Sequence, residues 1–356
     1  MRRAAAAIAG PAVAGVIAVI AVALTAWFIY NTPGSVLDDA EPRIEPFTES
    51  SDLVEFVIEP GESASDIALR LEEQEIVRSK RLFEVLVGLR GVGDSLEAGD
   101  YEFEKGLPAV VVVDRIAEGR TSSRSVLFRE GTRAEEMGEV LEAAGIITAQ
   151  EFQNALVKSD YATPFLAQVQ SESLQGFLYP ARYEFRRSAT PDEVVATLLQ
   201  GFQDNVAAEL PAGFQELTLD QVVTVASIVE REAQVPEERP IIASVYLNRI
   251  RMGMLLQADP TTQFAITVDP ASVTQYGWWK QELTIDDLQF VSPYNTYVSP
   301  GLPPGPICNP SADSVLAVVE PAQTDFLYFV AVGDGSHAFA ETLEEHNANV
   351  AQYQGG

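Results

Sequence analysis

The sequence predicts an α+β protein carried behind a single N-terminal membrane helix. Three observations predict it: an uncharged apolar run from Ala4 to Tyr30, a strand-turn-helix unit that recurs after seventy residues, and a change to longer amphipathic helices from about Ser188. They divide the chain into a cytoplasmic start and anchor over 1–30, a linker over 31–52, a small α+β subdomain over 53–120 and a larger mixed α+β domain over 121–356. An apolar content of 47% is too high for a disordered chain. The balance of 23 basic against 52 acidic residues, a net charge of −29, would repel phosphate backbones, so nucleic-acid partners are not expected.

Ala4–Tyr30 exceeds the roughly 20 residues that cross a bilayer as a helix. Arg2 and Arg3 precede the run and Asp38, Asp39 and Glu41 follow it, which places the N-terminus in the cytoplasm and the bulk of the chain outside the cell membrane. A cleaved signal peptide is the alternative, because Ala21-Val22-Ala23 has the form of a cleavage site. Pro33, Gly34, Pro42 and Pro46 with scattered acids mark 31–52 as a linker. Beyond it, Phe56–Gly61 aligns with Val126–Gly131, and Leu71 and Ile76 align with Leu141 and Ile146. Each copy reads as strand, glycine turn and helix. Between them, Ala98–Phe103 reads as a turn and strand and Ala109–Ile116 as an apolar segment.

Helices are expected at Pro191–Asn205, Thr218 to about Gln234, and Pro240–Met254, with Thr218 and Gln221 spaced as a capping box. After Met254, Asp259-Pro260, Ser299-Pro300-Gly301 and Pro303-Pro304-Gly305 read as loops, before a strand at Phe326–Val332 and a final helix at Glu341–Tyr353.

On a helical wheel, Leu219, Val222, Val223, Ala226, Val229 and Ala233 share one face, and Glu230 falls inside the same arc. A carboxyl among apolar neighbours holds its proton more tightly, which suits a general acid. A glutamate at the edge of the face, snorkelling to solvent or paired with arginine, satisfies the same wheel. Glu232 lies on a different face and is the reserve candidate. Single Cys308 excludes an internal disulfide, and His337 and His346 are the only histidines, so neither a metal nor a cofactor is expected. The amides, phenols and carboxylate of Gln257, Asp259, Thr261, Tyr294, Asn295, Tyr297 and Asn309 sit beside rigid turns and suit a sugar, although ordinary turn chemistry uses the same residues.

Ala226–Ala233, Gln257-x-Asp259-Pro260-Thr261, Tyr294-Asn295-Thr296-Tyr297, Gly301–Ile307 and Gly335–Phe339, in that order, closely resemble the membrane-anchored endolytic murein transglycosylases, the YceG-like proteins. The resemblance runs from about residue 52 to 353. It implies a LysM-like glycan-binding subdomain at 53–120 and a transglycosylase domain at 121–356. It also implies lytic cleavage of the MurNAc-β-1,4-GlcNAc bond within peptidoglycan, leaving 1,6-anhydro ends, with Glu230 as general acid and base. Gln257, Asp259, Thr261, Tyr294, Asn295, Tyr297 and Asn309 would then bind substrate, with Ser227, Glu232 and His337 as secondary site residues. Penicillin-binding synthases of wall elongation are the implied partners. Gln175 and Ala181-Arg182 stand where the family tends to carry acidic residues. A muramidase using water, or a wall-binding scaffold without catalysis, is the competing function.

Overall fold

In the computed structural model, which describes residues 53–211 and 217–354, the first unit runs β1 (Leu53–Ile58), α1 (Ala64–Glu73), α2 (Lys80–Arg90), β2 (Gly99–Glu104) and α3 (Ala109–Ala117). The apolar run Ala4–Tyr30 and the linker lie outside the described residues. Within them, no helix is long and apolar enough to cross a membrane. β1 and β2 pair antiparallel, with Phe56 opposite Tyr101, and strand alternation turns Phe56 and Ile58 inward. These residues meet Ile67 and Leu71 of α1, Phe83 of α2 and Val112 and Val113 of α3 in a core of their own.

A second unit repeats that order: β3 (Ser123–Leu127), α4 (Ala134–Ala143), α5 (Ala149–Ala155), β4 (Arg182–Arg186) and α6 (Pro191–Phe202). β3 and β4 again pair antiparallel. Leu71 and Leu141 are both fully buried, and Gly61 and Gly131 both turn the chain with positive φ. The sequence similarity at seventy residues therefore marks a longer repeat of backbone order, β-α-α-β-α. The two units are joined by polar contacts: Arg187 reaches Glu55 and Glu102, at 2.5 and 3.0 Å, and the Ser188 amide donates to Asp100.

The remainder is α7 (Leu219–Glu232), α8 (Arg239–Met252), α9 (Asp259–Ile266), α10 (Pro270–Tyr276), α11 (Ile285–Leu288), α12 (Ala312–Val319), the hairpin β5 (Tyr328–Ala331) with β6 (His337–Ala340), and α13 (Leu343–Tyr353). The protein is mixed α+β, mostly helical with small two-stranded sheets. Thr218 caps α7, its side chain accepting from the Gln221 amide while Gln221 returns the bond. The stretch after Met254, expected as loops, holds four helices. Pro260 and Pro270 sit in first turns, where a missing N–H leaves no bond unmade, and Ser311 caps α12. α7 packs against α8 and α12 and is buried around most of its circumference, from Val222 to Val229. It is the central strut on which the site is built.

Candidate active site

The last turn of α7 delivers three charged residues in succession, and the helical rotation sends each to a different neighbourhood. Glu230 turns toward α12. Its Oε2 accepts from the Ser311 amide at 2.9 Å and the Ser311 hydroxyl at 2.5 Å, and its Oε1 lies 3.9 Å from an Arg239 guanidinium nitrogen. Only 6% of its side chain is exposed, as the wheel implied. The expected apolar setting is corrected, however: donors surround this carboxylate, because the residues that cover it come from the N-terminus of α12 and the first turn of α8. Glu130 stands nearby, its carboxyl raised by burial and then by the charge of Glu230, with Arg239 opposing. Arg231 lies 3.9 Å over the Trp279 ring.

Glu232 turns the other way, into a cavity of about 300 Å³ that it shares with Tyr246, Arg249, Gln257, Asp259, Tyr297 and His337. Its carboxyl is pushed up to about 7, chiefly by burial and also by the charge of Asp259. The Tyr246 hydrogen bond, 2.8 Å from phenol to Oε1, and the guanidinium groups of Arg231 and Arg249 oppose the rise. Asp259 opens α9 and accepts a 2.5 Å hydrogen bond from the Tyr297 phenol. Arg249 is fixed by the carbonyls of Leu327 and Leu256, at 2.6 and 2.7 Å, so its charge stays at the cavity wall. Gln257 lies in the left-handed region at φ 50, a strained setting for a residue with a Cβ, and its amide is tied to the Thr296 carbonyl. His337 pairs with Glu238 through Nδ1 at 2.7 Å. Among the described residues no group of three or more His, Cys, Asp or Glu is arranged to hold a metal ion.

Five residues singled out in the sequence therefore converge on one cavity: Glu232, Gln257, Asp259, Tyr297 and His337. Glu230 does not line it. Four expected site residues instead hold the scaffold, because each is fully buried with its polar atoms committed. Ser227 donates to the Thr224 carbonyl and accepts from the Ile307 amide. Thr261 bonds the Ala258 carbonyl and Thr296, and Asn295 bonds Thr262 and the carbonyls of Leu288 and Phe290. Asn309 accepts from the amides of Gly176 and Leu178 and donates to the Thr132 carbonyl. Asn309→Ala would leave those buried groups unpaired, so a loss of about 3 kcal/mol or more in unfolding free energy is expected by chemical denaturation. Tyr294 packs 4.7 Å from Phe264 and lines a different cavity. Gln175 accepts from the Ala134 amide and donates to the Ile307 carbonyl, a bridge that an ionised acid could not complete. Tyr246 and Arg249 escaped the sequence reading, although their three-residue spacing on α8 aligns them on one helical face.

A model of the YceG-like family matches residues 56–352. The chain is 28% identical over 326 residues to the endolytic murein transglycosylase of Bacillus subtilis, covering 86% of each protein. It is 26% identical over 330 residues to the protein of that name from Streptococcus pneumoniae D39, covering 83% of this chain and 57% of that one. A crystal structure of a YceG-like protein from Listeria monocytogenes is also similar, with a TM-score of 0.52 and 28% identity, over 84% of this chain and 99% of the other.

Proposed function

The chain belongs to the YceG-like family, and on that footing we propose that it is an endolytic murein transglycosylase that cuts peptidoglycan glycan strands with Glu232 as its acid. The observation that carries this reading is the Glu232 carboxyl, raised to about 7 and turned into a cavity beside Asp259 and Tyr297. The relatives bearing that name supply the substrate class.

Protonated Glu232 donates to the oxygen of the MurNAc-β-1,4-GlcNAc bond as the C1–O bond breaks. Asp259, oriented by the Tyr297 phenol, faces the positive charge that develops at the anomeric carbon. The Glu232 carboxylate then takes the proton of the muramoyl 6-hydroxyl, whose oxygen closes on C1 to give the 1,6-anhydro end. No water is consumed, and the nucleophile belongs to the substrate, so no second carboxylate is required as nucleophile or as base for water. The motif resemblance points to Glu230 for this acid. The surroundings favour Glu232, because Glu230 is held by Ser311 and Arg239 outside the cavity, where it braces α7 against α12 and α8.

Hydrolysis by a water activated at Asp259 is the second reading. Mass spectrometry of the digested glycan separates the two: the proposal expects ends one water lighter than reducing ends, and reducing ends alone would favour the muramidase. The apolar run Ala4–Tyr30 supports a single-pass anchor with the remaining chain outside the membrane, and the motif resemblance supports work beside penicillin-binding synthases and residues 53–120 as a LysM-like glycan binder.

The acid must be protonated, so kcat/KM should fall about tenfold per pH unit above about 7. The Tyr246 bond favours the carboxylate, and removing it in Tyr246→Phe should move that limb to higher pH. Asp259 disfavours the carboxylate, so Asp259→Asn should move the limb to lower pH. Initial-rate pH profiles of the three proteins check both signs.

A further inference from the structure

A second cavity, of about 320 Å³, opens in the second β-α-α-β unit, where the start of α4 and the end of α5 face residues 171–175, Tyr294 and Pro304–Pro306. Its lining shares no residue with the Glu232 cavity. Tyr294 supplies one wall, backed by Phe264, and Pro304 and Pro306 add rigid apolar surface.

Apart from Glu135, its polar groups are neutral and partly uncommitted. Ser171 Oγ accepts from the Ser173 amide at 3.0 Å and Ser173 Oγ from the Gln175 amide at 3.2 Å, which leaves both hydroxyl protons available to donate. Gln153 gives its NH₂ to the Ala134 carbonyl at 3.0 Å and keeps its amide oxygen as an acceptor. The one charged residue, Glu135, is held by Arg133 at 3.2 Å. A site of this kind offers nothing to a phosphate and little to a cation. An aromatic and proline wall with a rim of hydroxyls and an amide instead matches a pyranose, which has an apolar CH face and polar edges.

The cavity's position fits a long polymer. Tyr294 and Tyr297 are three residues apart, so their Cα atoms lie within about 11 Å. The intervening Asn295 is locked by four hydrogen bonds, which fixes one cavity relative to the other. We propose that this cavity is a second saccharide subsite, holding a neutral N-acetylated sugar of the glycan strand away from the bond that is cut. The inference rests on the glycan specificity proposed above, but it concerns binding and not cleavage.

The test is calorimetric titration of the full-length chain, carrying Glu232→Gln so that nothing is consumed, with chitotetraose. Ser173 is exposed, and Ser173→Trp should plug the cavity at the cost of one hydrogen bond, that from the Gln175 amide. Ser173→Trp and Tyr294→Ala are each expected to weaken binding about tenfold, the scale of one lost aromatic contact with its rim. Affinities within twofold of the parent for Ser173→Trp, together with exchange at amides 171–175 that chitotetraose leaves unchanged in the parent, would overturn the proposal. Should Tyr294→Ala unfold, hydrogen exchange decides: amides 171–175 slow on adding chitotetraose if the subsite exists, and unchanged exchange contradicts it. If Glu232→Gln instead proves fully active, the catalytic reading fails while this binding result stands on its own.

Discussion

Glu232→Gln is expected to lower the cleavage rate by about 10³-fold, the scale of a lost general acid, with the fold intact. Glutamine keeps an oxygen to accept the Tyr246 hydrogen bond, and it removes a carboxyl whose ionised form burial disfavours. Unfolding free energy should therefore hold within about 1 kcal/mol, the range of a substitution that opens no cavity and orphans no donor. Initial rates on purified glycan strands, paired with a thermal melt, check both halves. A large fall in the melting temperature alongside the rate would assign Glu232 to the scaffold.

Arg133→Ala is expected to cost about 3 to 5 kcal/mol, the scale for breaking a buried ionic cluster. Arg133 is 1% exposed and joins elements distant in sequence. Its guanidinium bonds Glu135 at 3.2 Å and Thr267 at 3.0 Å, and stacks on Phe264 at 4.2 Å and Trp278 at 4.9 Å. Phe264 and Thr267 sit at the end of α9, the helix whose first residue is Asp259. The same substitution should therefore lower kcat by loosening Asp259 and Tyr297, although Arg133 lines neither cavity. Arg133→Lys should recover less than half of the lost stability, since an ammonium lacks the planar fork and the stacking face. Denaturant titrations of the three proteins decide the order.

Much of this scaffold is legible locally. The Thr218 box, the Gly61 and Gly131 turns and the inward arc of α7 follow from short-range spacing, and the structure carries each. The loop reading after Met254 goes astray because Asp-Pro marks a turn and a helix start alike, and only packing against α7 selects the helix. The same limit governs the site. A wheel ranks Glu230 above Glu232 by counting apolar neighbours on one helix. What distinguishes the two is supplied by Ser311 and Arg239 on one side and by Tyr246, Asp259 and Tyr297 on the other. Those partners arrive through tertiary folding, and no period along α7 encodes them.

On this geometry the cleaving acid is Glu232 and not its neighbour one half-turn away. Glu232→Gln and Glu230→Gln, digested side by side with the parent on the same glycan strands and read by mass spectrometry of the ends, test it most directly. Glu232→Gln is expected to give no anhydro ends and Glu230→Gln clearly detectable ones. Anhydro ends from Glu232→Gln at the parent level, with none from folded Glu230→Gln, would contradict it.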